Sequence, residues 1–418
     1  MKKILIISYY WPPSGGAGVQ RWLKFAKYLP EFDWEPIVLT VDDKLASYPQ
    51  KDESLLEEAK EIKTYRTKTF ELYSLYTSLK KNKEIPYGGF SNEQEPNIVQ
   101  KAARFVRGNF FIPDPRKGWN KYAVAKAKEL IKEHGIDVII TTSPPHSTQL
   151  IGLELKKQFP HIKWIADLRD PWTDIYFYDK FYPTKLARSI DSKYEKAVVE
   201  HSDITITVSP SIQKILQNRY PKSEVQVLTN GFDHTDFGKN LFDNKTKNKD
   251  LVYTGTLTTD YPLQEIIELS KRNSELQFRF IGSHPREFRE MIEEAGLTSK
   301  FNFQKSIPHS EITSEMINAG ILLLLIPKVP QNEGILTGKL FEYIGSKSPI
   351  LAIGPEGGDV ENIINETNSG IYVSYKNAEN ISNSDIQELY QTAVNSKSEK
   401  FSRKSITNEL VGLISRNS

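Results

Sequence analysis

Ile321-Leu-Leu-Leu-Leu-Ile326, then Glu333-Gly-Ile-Leu-Thr-Gly-Lys-Leu-Phe-Glu-Tyr343, then Ser348-Pro-Ile-Leu-Ala-Ile-Gly354 is the stretch that decides the fold. The outer two pieces are short and apolar, as buried strands are. A helix between them makes a strand–helix–strand unit, and such units build parallel sheets. The turn that opens the helix is made of small residues. It leaves free backbone N–H groups at a helix N-terminus, an end that attracts phosphate. Lys339 adds a full positive charge there. Glu342, three residues on, shares the helical face of Lys339 and can accept from ribose hydroxyls. Taken alone, the segment is a surface helix with ordinary Lys–Glu spacing. The flanking strands and the Thr337-Gly338 entry favour a clamp for a diphosphate and its sugar.

Outward from this stretch the same rhythm holds. Strands are expected at Leu251–Thr254, Gln277–Ile281, Phe301–Phe303 and Gly370–Val373, with helices at Pro262–Lys271, Arg286–Ala295 and Ser310–Asn318. Upstream, strands are expected at Lys3–Ile7, Pro36–Thr40, Val138–Thr142, Lys163–Asp167 and Ile204–Val208. Helices are expected at Gln20–Pro30, Lys121–His134, His146–Phe159 and Lys185–Glu200. Residues 44–118 break the rhythm and read as a surface excursion with some helix; they include the soft stretch Tyr87-Gly-Gly-Phe-Ser-Asn92. Lys239–Asp250 is polar and reads as a linker. The fold class is α/β: two Rossmann-like doubly wound domains, 1–238 and 250–400, facing across a cleft. The helical pattern near the end (401–418) is expected to pack back on the first domain.

The bulk numbers agree. A chain of 418 residues is too long for one core. Net charge is +2, from 55 basic and 53 acidic residues, so a dedicated nucleic-acid binder is not expected. With no cysteine, disulfides, thiolate metal sites and cysteine catalysis are excluded. The apolar run Ile4–Ile7 is too short for a signal peptide, and no run nears the roughly 18 residues of a membrane span. A cytoplasmic protein is expected.

Several strand ends carry candidate chemistry. Pro12-Pro13-Ser14-Gly15-Gly16-Ala17-Gly18 lets backbone approach a ligand. A dinucleotide fingerprint starting at Gly16 and Gly18 fails at its third position, which is Arg21. Thr141-Thr-Ser-Pro-Pro-His146 opens a helix, and His146 can bond a substrate hydroxyl or assist proton transfer; a packed or capping histidine explains it equally. Asp167-Leu-Arg169-Asp170-Pro-Trp172 places three charges at a strand end, where they must pair or meet a ligand. Asp167, Arg169 and Asp170, with Arg21, are read as the acceptor side; an internal Arg169–Asp pair holding the loop is the alternative. Tyr253-Thr-Gly255-Thr256 ends another strand in a turn. Arg104–Lys128 mixes cations with aromatics and suits an anionic bilayer, or is a packed helix with a solvated basic face. The Asp-x-Asp triplet, the His-Glu-x-x-His motif, the Walker loop and the Gly-x-Ser-x-Gly elbow are missing, so no catalytic metal is indicated.

Together these loops resemble the family 4 glycosyltransferases, retaining enzymes of the GT-B fold. The resemblance rests on Gly15–Gly18, Ser143-Pro-Pro-His146, Asp167–Trp172, Val208-Ser-Pro-Ser211, Asn230-Gly-Phe-Asp233, Tyr253-Thr-Gly255 and Lys339-Leu-Phe-Glu342-Tyr343. It implies a metal-independent, hexosyl-type transfer with no cofactor. The nucleotide diphosphate sugar would be the co-substrate, and a glycan or lipid-linked molecule the acceptor, in cell-surface polysaccharide synthesis. It implies that Lys339, Thr337 and Gly338 meet the diphosphate with Gly255 and Thr256 beside them. Glu342 would bond the ribose, and Ile307 would lie near the base. The Gly16–Gly18 loop would close over the donor, and His146 would sit by the transferring sugar. Glu333 would meet the donor sugar, yet it stands one residue further from Glu342 than the family's paired glutamates usually do. Where many members place Arg and Lys on the diphosphate, this chain has Thr256 and, approximately, Tyr261, so Lys339 carries more of the load. A nucleotide-sugar 2-epimerase and a non-catalytic sugar-nucleotide sensor are the alternative readings. Peripheral contact with the inner membrane face is a further expectation.

Overall fold

The computed structural model describes residues 1–71, 96–238, 249–392 and 394–416. Tyr87–Asn92 and most of the expected linker lie outside the described residues. The chain divides into two compact units: 1–229 with 407–418, and 230–406. The division therefore falls at 229/230, ahead of the linker, and Asn230–Gly238 goes with the second unit.

The first unit is a seven-stranded parallel sheet in the order β3-β2-β1-β4-β5-β6-β7. Its strands are β1 (Lys2–Ile7), β2 (Trp34–Val41), β3 (Lys63–Thr67), β4 (Val138–Ser143), β5 (Lys163–Leu168), β6 (Ile204–Thr207) and β7 (Val225–Val227). The central strand β1 pairs with β2 on one side and β4 on the other. Both its faces are covered, which is why it shows an unbroken apolar run instead of alternation. Helices α1 (Ala17–Tyr28), α2 (Leu55–Ala59), α3 (Ile98–Phe110), α4 (Asn120–His134), α5 (Ser147–Gln158), α6 (Lys185–His201) and α7 (Pro210–Arg219) connect the strands. Strand β3 lies inside the stretch read as an excursion, and it widens the sheet by one edge. Its sequence, Lys-Thr-Tyr-Arg-Thr, is half-exposed, so it lacked an apolar signal.

Within that stretch α3 is turned opposite to the expected way. Arg104 is buried and Arg107 lies over the Phe181 ring at 4.3 Å, while Ile98, Val99, Val106 and Phe110 are exposed. Arg116 and Trp119, read as surface residues, are buried.

The second unit is a six-stranded parallel sheet in the order β10-β9-β8-β11-β12-β13. Its strands are β8 (Leu251–Thr254), β9 (Phe278–Ile281), β10 (Phe301–Gln304), β11 (Ile321–Leu325), β12 (Ile350–Gly354) and β13 (Gly370–Ser374). The helices are α8 (Leu263–Arg272), α9 (Arg286–Glu294), α10 (His309–Asn318), α11 (Gly338–Ser346), α12 (Asp359–Thr367) and α13 (Asn383–Tyr390). Apolar clusters cover both faces of this sheet. The last helix, α14 (Arg403–Ser415), runs from the second unit into the first. Its final carbonyls, of Leu413 and Ile414, accept from Lys163 Nζ on β5 at 3.1 and 3.0 Å.

In each sheet the strand order reverses between two central strands: β1 and β4 in the first, β8 and β11 in the second. Open α/β sheets bind ligands beyond the carboxyl ends of strands at such a reversal.

Candidate functional site

In the second unit the loops after β8 and β11 meet at the reversal point. Gly255 follows β8 with φ +107°, a conformation glycine takes without strain. Its missing side chain also matters: a Cβ there would stand 2.7 Å from Lys339 Cε and 2.8 Å from Nζ. The ammonium of Lys339 therefore lies on the turn. It donates to Tyr253 Oη at 2.8 Å and sits 4.4 Å from that ring's centre. Tyr253 in turn donates to the Thr256 carbonyl at 2.9 Å. Burial lowers the Lys339 pKa to about 8, against the opposing pull of Glu342 on the same helix.

Helix α11 starts at Gly338 with Thr337 as its N-cap, and the Thr337 side chain makes no capping bond. Its Oγ1 is shielded from solvent and has no hydrogen-bond partner among the described residues. A helix N-terminus not capped by its own threonine, a buried orphan hydroxyl and a lysine beside it make a site suited to an anion. The structure thus gathers Gly255, Thr337, Gly338, Lys339 and Glu342. Thr256 is exposed and is bonded to Ser283 (3.1 Å between hydroxyls). Ile307 is half-buried against the apolar cluster under α11. Glu333 is exposed on a 3-10 turn, Asn332–Gly334. Asn332 holds that turn by donating to the Pro327 carbonyl and to Tyr375 Oη, at 2.7 and 2.9 Å. Tyr253 was missed as a site residue. Its strand position marked it as core, and only the fold puts its hydroxyl under Lys339.

In the first unit Gly16 precedes α1, and Gly18 packs on the Arg169 guanidinium. A Cβ at Gly18 would fall 1.9 Å from Nη1, so only glycine allows this approach. Arg169 donates to the carbonyls of Ser143 (2.8 Å) and Pro144 (3.0 Å) and so joins the loops after β4 and β5. Burial lowers its pKa, against the pull of Asp167 and Asp170. Burial likewise raises the Asp170 carboxyl, opposed by Arg169.

Arg21 and Asp167 are placed otherwise than on an acceptor. Both side chains have 0% exposure and pair at 3.1 Å. Asp167 also accepts from Trp22 Nε1 (2.6 Å) and Thr142 Oγ1 (2.8 Å), and Arg21 donates to the carbonyls of Leu228 and Thr229 (both 2.9 Å). This network ties α1 to the strand ends of the sheet. Among the described residues the charges at the end of β5 do not pair with one another: Arg169 bonds the Ser143 and Pro144 carbonyls, and Asp167 takes Arg21, a partner its distance in sequence concealed.

His146 precedes α5. Its ring stacks on Trp172 at 4.7 Å, and Nδ1 is shielded with no partner among the described residues. The helix start itself is capped by Asp114, which accepts from Ser147 N and Oγ at 2.7 and 2.8 Å. Burial, then Arg169, lower the His146 pKa to about 3. The imidazole is thus neutral across the working range, and it can accept or donate a hydrogen bond without titrating. We expect rate–pH profiles of the wild type and of His146→Asn to share one shape between pH 5 and 8. A limb near pH 6 present only in the wild type would contradict the neutral assignment.

Comparisons with known proteins bear on the family and the fold. The family model described as Glycosyltransferase Family 4 matches residues 87–236. No curated protein matches the sequence. Among solved structures the chain is similar to TarM (12% identity, TM-score 0.62, covering 100% of this chain and 99% of that one). It is similar to a glycosyltransferase from Rickettsia africae ESF-5 (16%, TM-score 0.60, 100% of both chains). It is also similar to a variant of S. aureus TarM in complex with fondaparinux, alpha-GlcNAc-glycerol and UDP (12%, TM-score 0.57, 100% of both). The resemblance to family 4 glycosyltransferases is borne out over residues 87–236, and the two parallel sheets together match the two-domain GT-B fold of these neighbours.

Proposed function

We propose that this chain transfers a sugar from a nucleotide diphosphate sugar to a glycan or lipid-linked acceptor, with retention at the anomeric carbon. One observation carries the reading: Lys339 lies on the Gly255 turn at the start of α11, where the second sheet reverses its strand order. As the glycosidic bond breaks, negative charge grows on the departing diphosphate. Helix N–H dipoles and Lys339, already in place, stabilise that charge without reorganising. No carboxylate of the second unit stands out as a nucleophile, so attack from the leaving-group face, aided by the departing phosphate, is the favoured path. His146 and Asp170 remain candidates for the reacting sugar and the acceptor.

A thermal-shift screen of UDP-, GDP-, ADP- and CMP-sugars tests the donor class, because a ligand bound only by the folded state raises the melting temperature. Nucleotide release that needs an acceptor supports transfer. An epimerised nucleotide sugar from donor alone supports the isomerase, and binding without turnover supports a sensor.

Glu342→Gln tests the ribose contact. A hydrogen bond to a charged group contributes about 1.5–3 kcal/mol, so the donor KM should rise about 10- to 100-fold. An unchanged KM would remove Glu342 from the donor site.

A further inference from the structure

Helix α3 is built inside out. Its inward side is Gln100, Arg104, Arg107, Gly108 and Asn109, and its exposed side is Ile98, Val99, Ala102, Phe105, Val106 and Phe110, with Lys101. Ile98 is 85% and Phe110 75% exposed. The seating is specific. A Cβ on Gly108 would stand 2.4 Å from the Phe181 carbonyl, and Asn109 bonds the Tyr182 carbonyl (3.1 Å) and the Thr184 N–H (2.7 Å). An N-terminal capping box formed by Asn97 and Gln100 fixes where the helix begins. The described residues of this unit therefore leave the apolar face uncovered, where the hydrophobic effect would turn it inward.

We infer that this face docks on an anionic lipid surface. Leu186, 71% exposed at the start of α6, extends the patch beside the C-terminal end of α3. Within the helix itself the charge is of one sign. No Asp or Glu occurs in Ile98–Phe110, and Lys101 and Lys185 are exposed beside the apolar residues. Asp179, nearby, is paired with Arg188. An apolar stripe about 20 Å long by the helix rise, rimmed by lysines, is the pattern of a helix lying in a headgroup region. Two copies joined through this face would bring like charges together, which favours lipid over self-association. No helix among the described residues is long and apolar enough to cross a membrane, so the contact is one of lying on the surface. The apolar residues carry it, and Arg104 and Arg107 instead seat the helix.

Co-sedimentation of the full chain with phosphatidylcholine vesicles, with and without about 30% phosphatidylglycerol, tests this. The wild type is expected to bind the anionic vesicles, and Ile98→Ser/Val106→Ser/Phe110→Ser to bind at least about 30-fold less. Lys101→Gln and Lys185→Gln should each lower binding about 5-fold, with the loss vanishing at high salt. All three side chains of the triple variant are exposed, so its melting temperature should match the wild type. Lys101→Gln gives a second reading if it does not. Wild type left in the supernatant with both vesicles overturns the proposal. So does a mass by light scattering that halves in the triple variant without any vesicle binding by the wild type, which would assign the face to a second copy.

Discussion

Alanine in place of Lys339 is expected to lower kcat/KM by about 10²- to 10³-fold, the effect of removing one fixed donor to a developing negative charge. The melting temperature should hardly move, because among the described residues the half-buried ammonium makes one hydrogen bond, to Tyr253. The charge state adds a second signature. Burial brings this lysine to about 8, below its ordinary 10.5. Below pH 8 the ammonium is present to meet a diphosphate. Above it, the donor must bind with uptake of a proton, so affinity for a nucleoside diphosphate should be flat to about pH 8 and then fall toward tenfold per pH unit. The sign for stability is the opposite. The unfolded chain holds this proton up to 10.5, so between about 8 and 10.5 the unfolded state binds more protons, and the ligand-free fold gains stability from this group as pH rises. Calorimetric titration of a nucleoside diphosphate from pH 6.5 to 9.5, on wild type and Lys339→Ala, measures both. Equal turnover, or a pH dependence that survives the substitution, would take Lys339 off the diphosphate.

Much of this clamp was legible beforehand because its parts are close in sequence. A buried strand, a small-residue turn, Lys339 and Glu342 span little more than one helix, and local spacing fixes what they share. Tyr253 stands 86 positions away from Lys339, and its hydroxyl gives no sign in a strand whose other residues are core. The strands with apolar runs were readable for the same local reason. β3 and β7 sit at the edges of the first sheet, where fewer buried residues are needed. The orientation of α3 was beyond reach from spacing. Periodicity shows that a helix has two faces, and it is the fit of Gly108 and Asn109 against residues 181–184 that decides which one is turned in.

Asp167 makes the same point at the greatest energetic scale. It was read as an acceptor contact, and it lies in the first unit with no exposed surface. Asp167→Ala is expected to destabilise that unit by about 3–5 kcal/mol, the usual cost of leaving a buried partner charge uncompensated. Arg21 would lose its carboxylate partner, while Trp22 and Thr142 would lose their acceptor. At about 2–4 °C per kcal/mol for a unit of this size, the apparent melting temperature should fall by roughly 6–20 °C. The double variant Arg21→Met/Asp167→Leu separates charge from volume. With both charges gone neither member of this pair is left uncompensated, so the double variant should recover part of the loss and give a coupling energy that Asp167→Ala alone cannot show. An acceptor role predicts another pattern: full stability in Asp167→Ala, a raised acceptor KM, and no rescue by the second substitution. Scanning calorimetry on the two variants decides between them. Asp170→Asn is the companion measurement, because its half-buried carboxyl stands beside Arg169 outside the network and should alter kinetics more than melting.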